Sequence, residues 1–295
     1  MNNRKKNINH QSDQLKDPLE IVSGTYIDWE KSKEQVWLEM ENKIKSAQPD
    51  RVRIMFSPWM KVAMAAVFAL LVGFTVFIQL YTKTVIIPAA IHSVLYLPDG
   101  STVQLNAQST ISYKPLLWKL SRNVKFEGEA FFEVQKGKKF QVLSDNGKTV
   151  VLGTSFNVYS RNEDYQVTCI TGNVKVTETK NKRAVILHPD EKAILNEEGK
   201  LVVQSGSTTE QALSWMDNKL NFTSVPLRNV FEEIERQYDI LINIPENLDS
   251  VYTGTFSIDI PVEQTLNLVC KPFNLSFTLK SKDEYIITRN EQNQY

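Results

Sequence analysis

The chain has 295 residues with 34 Lys/Arg against 34 Asp/Glu, so its formal charge at pH 7 is zero. Residues 1–61 hold eleven basic and nine acidic residues, and residues 83–295 hold twenty-three and twenty-five; neither part has the basic excess a polyphosphate partner needs, which excludes direct nucleic-acid binding. With 42% hydrophobic residues the chain can bury one or two cores, and its two cysteines, Cys169 and Cys270, are too few for a disulfide framework and read as small buried hydrophobes.

Residues 1–27 are polar, contain Pro18 and Gly24, and show no sustained periodicity. A helix is expected from there on, capped by Asp28 or Ser32, with Glu30 and Glu34 in its first turn and Lys43 and Lys45 near its end, as the helix dipole favours. Trp37, Met40 and Ile44 fall at i, i+3 and i+7, and Val36 widens the stripe. This head offers no second helix to cover the stripe, so a groove on a partner protein is expected to receive it; the alternative is a helix lying on a lipid surface.

Val62–Thr82 runs without a charge, and eleven of the nineteen residues Val62–Leu80 are Leu, Ile, Phe or Val. A hydrocarbon core about 30 Å thick needs roughly 20 such residues, so the segment reads as one membrane span. It starts too far into the chain for a cleaved signal peptide. Lys43, Lys45, Arg51, Arg53 and Lys61 precede it while Lys83 stands alone after it, which places the N-terminus inside. Trp59 and Tyr81 mark its ends as interfacial aromatics.

Beyond the span, short apolar-alternating segments recur between turn signals such as Asp99-Gly100, Asp145-Asn146-Gly147 and Thr171-Gly172-Asn173, the rhythm of stacked antiparallel sheet. Val167 and Cys169 alternate with polar neighbours, and Val174 and Val176 continue the same face after a turn. Residues 204–214, QSGSTTEQALS, read as a linker. A weak repeat follows: Phe222 precedes Pro226-Leu227 with Val230, Phe231 and Ile234, and Phe256 precedes Pro261-Val262 with Thr265, Leu266 and Val269. Each unit reads strand, helix, strand, giving a small α+β domain with helices on one sheet face. The expected fold is a single-span membrane protein: a helical cytoplasmic head (1–61), a transmembrane helix (62–82), an all-β sandwich (83–203), a linker (204–214) and a βαβ-repeat domain (215–295).

The runs LPDGSTVQLNAQSTISY (97–113), RNVKFEGEAFFEV (122–134), GTSFNVY (153–159) and TGNVKV (171–176) resemble the FecR-type anti-sigma regulators of Gram-negative bacteria. Asp99, Gly100, Arg122, Gly128 and Glu129 carry the motif. The pattern W-x-x-x-x-L-x-F (Trp215–Phe222) with PLRNVFEEIERQYDI (226–240) is similar to the small secretin/TonB N-terminal-type domain that ends many of them. The resemblance implies a relay in the inner membrane: the signalling domain of a TonB-dependent receptor touches the periplasmic body, and the cytoplasmic head, through Val36, Trp37, Met40 and Ile44, binds an extracytoplasmic-function (ECF) sigma factor. The head is shorter than the multi-helix head of longer members.

No GxGxxG, Walker loop, HExxH or paired CxxC occurs, and His10, His92 and His188 are too scattered for one metal site, so no cofactor, metal or enzymatic activity is expected. Glu127 and Glu129 would share a strand face roughly 6–7 Å apart, near a glycosidase spacing, but Gly128 between them suggests a bulge with solvated acids. Gly153-Thr154 is a candidate for self-cleavage by attack of the Thr hydroxyl on the preceding carbonyl, against the plainer reading of a glycine that allows close packing. A membrane-anchored envelope scaffold or glycan-binding protein is the alternative function.

Overall fold

The computed structural model describes residues 30–47, 57–196, 198–206 and 208–290. The chain divides into two compact units, Met1–Ala65 and Ala66–Tyr295. In the first lies helix α1, Lys33–Ser46, opened by a capping box in which Gln35 N–H donates to Ser32 Oγ and Ser32 N–H to Gln35 Oε1. Ser32 is thus the cap; Asp28 lies outside the described residues. Helix α2, Pro58–Leu80, starts four residues before the expected apolar run and ends two before its close, with proline in the first turn where its missing N–H costs nothing. It is 23 residues long, has a mean hydropathy of 2.3, and buries none of its residues, so it is apolar on every face and long enough to cross a bilayer.

The second unit begins with thirteen strands: β1 Lys83–Ile87, β2 Ser93–Tyr96, β3 Thr102–Leu105, β4 Ser109–Tyr113, β5 Arg122–Glu133, β6 Phe140–Leu143, β7 Gly147–Val151, β8 Ser155–Arg161, β9 Asp164–Thr171, β10 Val174–Glu178, β11 Ala184–Leu187, β12 Glu191–Leu195 and β13 Leu201–Ser205. They form two sheets that share β5. Its first half pairs with β4 and, in parallel, with β6; its second half pairs with β3 and β8. The changeover is Gly128, whose φ of +118° only glycine adopts readily and whose absent side chain leaves room for Ser109, since a Cβ there would sit 2.3 Å from Ser109 Oγ. One core fills the space between the sheets: Phe132 of one stacks on Phe156 at 5.2 Å and meets Phe126 of the other edge-on at 5.5 Å. Cys169 lies in this core as expected. Val174 and Val176 also face it, but from the opposite sheet, because the turn at 171–173 carries the chain across the sandwich rather than along one face.

The turn Asp99-Gly100-Ser101 is stapled to β5. Arg122 forms an ion pair with Asp99 and donates to the carbonyls of Gln135 (2.8 Å) and Lys138 (2.7 Å), with its guanidinium over the Phe140 ring. Gly100 takes φ +83°, and Ser101 N–H donates to Asp99 Oδ1. Burial would raise the Asp99 carboxyl, but the Ser101 and Arg122 donors outweigh it and hold the group below its ordinary value.

Residues 204–214 are not a linker. β13 runs to Ser205, Gly206 turns at φ +92°, and helix α3 occupies Thr208–Leu213. Asp190 holds the segment down, its carbonyl accepting from Gly206 N–H and its carboxylate from Thr209 N–H. The final domain follows the expected order: β14 Lys219–Pro226, α4 Leu227–Tyr238, β15 Leu241–Asn243, β16 Val251–Ser257, α5 Val262–Cys270, β17 Leu275–Ser281 and β18 Glu284–Arg289. The strands, however, form two sheets instead of one. β14 pairs with β16 across the repeat, and β15 lies parallel to β18, which also pairs with β17. Neither unit pairs its own two strands. Cys270 is buried on α5 with Leu266 and Val269.

Gly128→Ala is expected to lower stability by more than about 1 kcal/mol through its positive φ and the Ser109 clash. Arg122→Met should cost about 3 kcal/mol by removing the counter-ion of Asp99 and the donors to the Gln135 and Lys138 carbonyls. Chemical denaturation of both variants against the parent measures these losses.

Candidate functional site

Two surfaces carry chemistry, one in each unit. On α1, Trp37, Met40 and Ile44 are 70%, 53% and 71% exposed, and no residue of the helix is buried. Val36 completes the face; Leu38, which the sequence reading passed over, is also exposed and lies about 100° beyond Trp37 around the helix. A Trp, a Met and an Ile in water on a well-capped helix form a preformed apolar ridge.

The second surface is a buried polar joint between the β sandwich and α4. Glu129 sits immediately after Gly128 on β5, and its carboxylate accepts from Asn106 Nδ2 and Asn157 Nδ2, both at 2.9 Å. From α4, Gln237 Nε2 donates to Asn106 Oδ1 (2.9 Å) and Glu233 Oε1 (2.8 Å), while Arg236 Nε donates to Glu233 Oε2 (2.9 Å). Arg161 of β8 donates to the carbonyls of Ala107 and Gln108, holding the β3–β4 turn in place under the helix. Further contacts close the rim: Ala90 N–H donates to Arg236 O, His92 bonds Gln237 Oε1 and meets Trp215 edge-on at 5.5 Å, and Asn229 Nδ2 reaches Asp164.

The two carboxylates of this joint titrate in opposite directions. Burial, helped by the negative charge of Glu233, pushes Glu129 up to about 7 against the amides of Asn157 and Asn106 and the charge of Arg161. Burial would raise Glu233 too, but Arg236, Arg161 and Gln237 outweigh it and hold that carboxylate below its usual range. One acid is therefore poised to take a proton near neutrality while the other stays charged between two arginines.

The joint draws together the sequence runs singled out above: Asn106–Gln108 from the first, Glu129 from the second, Asn157 from the third, and Glu233, Arg236 and Gln237 from the last helix. A family profile described as FecR protein matches residues 84–175, and one described as FecR, C-terminal matches residues 219–287, together more than half of the chain. The chain belongs to the FecR family. Two crystal structures, each of a proposed anti-sigma factor from Parabacteroides distasonis ATCC 8503, align with this FecR-family chain at 26% and 27% identity. Their TM-scores are 0.65 and 0.66, and they cover 71% and 72% of this chain and all of their own. No curated protein matches it significantly.

The other expected site residues take structural places. Asp99, Gly100 and Arg122 form the staple of the sandwich, and Gly128 the changeover of β5. Glu127 and Glu129 do not act on one space: Glu127 is exposed and lines a hollow of about 350 Å³ with Lys125 and Asp145, whereas Glu129 faces the joint and an adjoining cleft of about 610 Å³. Gly153 is required by close approach, since a Cβ there would lie 2.6 Å from the Lys136 backbone. Thr154 is buried, and its hydroxyl donates to the Asn173 carbonyl rather than to a base. His92 belongs to the joint, His188 bonds Asn173, and His10 lies outside the described residues.

Arg161, Glu233, Arg236 and Gln237 were not anticipated from sequence. The available signal was a second stripe on α4, Asn229, Glu233, Arg236 and Gln237 at i, i+4, i+7 and i+8, beside the apolar one.

Because Glu129 binds its proton at about 7 in the folded chain and near 4.5 when unfolded, the folded state holds the extra proton between those values, and stability falls as pH rises through 7. Thermal unfolding is expected to show a higher midpoint at pH 5.5 than at pH 8, and Glu129→Gln should flatten that difference. Glu233→Gln should shrink the acid-side gain, because the Glu233 charge helps to raise Glu129, and should lower the midpoint above pH 5 by removing the carboxylate that pairs with Arg236.

Proposed function

We propose that this FecR-family protein is a single-span anti-sigma regulator of the bacterial inner membrane, with α1 as its cytoplasmic contact for an ECF sigma factor. The β sandwich and final domain form the periplasmic receiver for a TonB-dependent receptor's signalling domain. The observation that carries the reading is the unburied Trp37–Met40–Ile44 ridge on α1, separated in sequence from the FecR body by a single apolar helix. Such a ridge lowers its free energy by entering a groove, and the basic residues that retain a flank in the cytoplasm lie on its side of the helix. On the other side, β14 pairs only with β16 among the described residues, so its second edge is open to a strand from the receptor.

The alternative placement of α1 flat on lipid predicts no stoichiometric protein partner. With the full chain in nanodiscs and the cognate sigma factor in solution, Trp37→Ala or Met40→Ala should each weaken binding by about 2 kcal/mol, roughly thirtyfold, while Lys33→Ala changes it little. Equal losses for all three would set aside a helix-in-groove contact. A reporter active only in the periplasm should work at the C-terminus and stay silent at the N-terminus.

A further inference from the structure

We propose that the end of the β sandwich next to the apolar helix is a lipid-facing surface that seats on anionic phospholipid headgroups. This rests on Pro58–Leu80 being a membrane span.

The strand register defines that end. β1 starts at Lys83, just after the helix ends at Leu80, and Lys83 pairs with Tyr113, the last residue of β4. Across the sheet Tyr113 pairs with Val124, Arg122 with Phe140, and Phe140 with Val151. The connections 114–121, 135–139 and 152–154 therefore all emerge on the side where the helix enters. Lys114 Nζ fastens the first of them to the helix itself by donating to Gln79 O at 2.6 Å.

The chemistry of the three connections differs from that of the rest of the body. They carry Lys114, Lys119, Lys136, Lys138 and Lys139, and no acidic residue, in a chain whose overall charge is zero. In the turn 115–120, Trp118 is buried edge-on against Tyr113 and Phe140, which leaves Leu116 and Leu120 outside at 52% and 81% exposure. Leu152 of the neighbouring connection is 64% exposed. The backbone of the turn bonds within itself, Leu117 to Lys114, Trp118 to Pro115, and Leu120 and Ser121 to Leu117. Four of its N–H groups are thus satisfied within the turn, and the rest can meet the polar headgroup layer. Gly137 N–H bonds Leu152 O, and Lys138 Nζ bonds Lys119 O, so the three connections form one surface.

Bulk water would leave three leucines exposed amid mutually repelling lysines. A headgroup layer accepts the leucines below and the lysines at phosphate level, with Tyr81 at the helix end in the same layer. Charge complementarity and the bond to Gln79 both favour an anionic bilayer over a soluble partner.

The full chain is placed in nanodiscs of phosphatidylcholine with or without phosphatidylglycerol, and an environment-sensitive dye is attached at Leu120→Cys, Phe74→Cys or Glu198→Cys, the native cysteines being buried. Expected are quenching at 74 by deep spin-labelled lipid, quenching at 120 by shallow spin-labelled lipid, and none at 198. Removing phosphatidylglycerol, or changing Lys119, Lys138 and Lys139 to Gln, should reduce the quenching at 120, each lysine contributing about fivefold to the seating equilibrium. Loss of quenching at 74 would remove the span and the proposal with it. Quenching at 74 with position 120 as free as 198 would overturn the lipid-facing surface alone, as would quenching at 120 that ignores both phosphatidylglycerol and the lysines, or that arises only when another protein is added.

Discussion

Strand β5 has to leave one sheet and join the other within its own length, and Gly128 is where it does so. A strand shared by two sheets needs a sharp local change of direction, which a residue with a Cβ resists. Ser109 fills the space the glycine leaves and bonds Glu129 through both its donor and its acceptor. The consequence reaches beyond the sandwich, because the carboxylate of the residue that follows the bend holds Asn106, whose side chain accepts from Gln237 of the final domain.

A buried network of this kind contributes more to geometry than to net stability. Glu129, Arg161, Glu233 and Arg236 must all be desolvated, and the bonds that offset this across the two domains form only when α4 sits in one position with Gln237 between Asn106 and Glu233. The sandwich and final domain are thereby held in a defined relation despite having separate cores. Removing the final domain would leave Asn106 Oδ1 without Gln237 and His92 without Gln237 and Trp215, so the two do not behave as beads on a string. The two are coupled by hydrogen bonds as well as by the chain that joins them.

Helix α1 presents the opposite situation. Its stability is local, from the Ser32–Gln35 box and the Glu41–Lys45 pair, and its apolar side chains have no cover within the described residues. A helix so built is nearly ready for a partner, and little ordering entropy remains to be lost on binding.

The sequence by itself determined what depends on local spacing. The uncharged run before Thr82 gave α2, the i, i+3, i+7 pattern gave the face of α1, alternation gave the core positions of β9, and helical spacing after each proline gave the apolar stripes of α4 and α5. Only the tertiary structure decided which strands pair and which charges are buried. The two βαβ units looked like one sheet because periodicity marks a strand without naming its partner, and residues 204–214 looked like a linker because a polar composition does not reveal that Asp190 anchors Gly206 and Thr209. The charged face of α4 is likewise buried through partners remote in sequence. The acceptor of Gln237 is Asn106, 131 residues away, and a hydrogen bond between groups that far apart leaves no periodic trace in either segment.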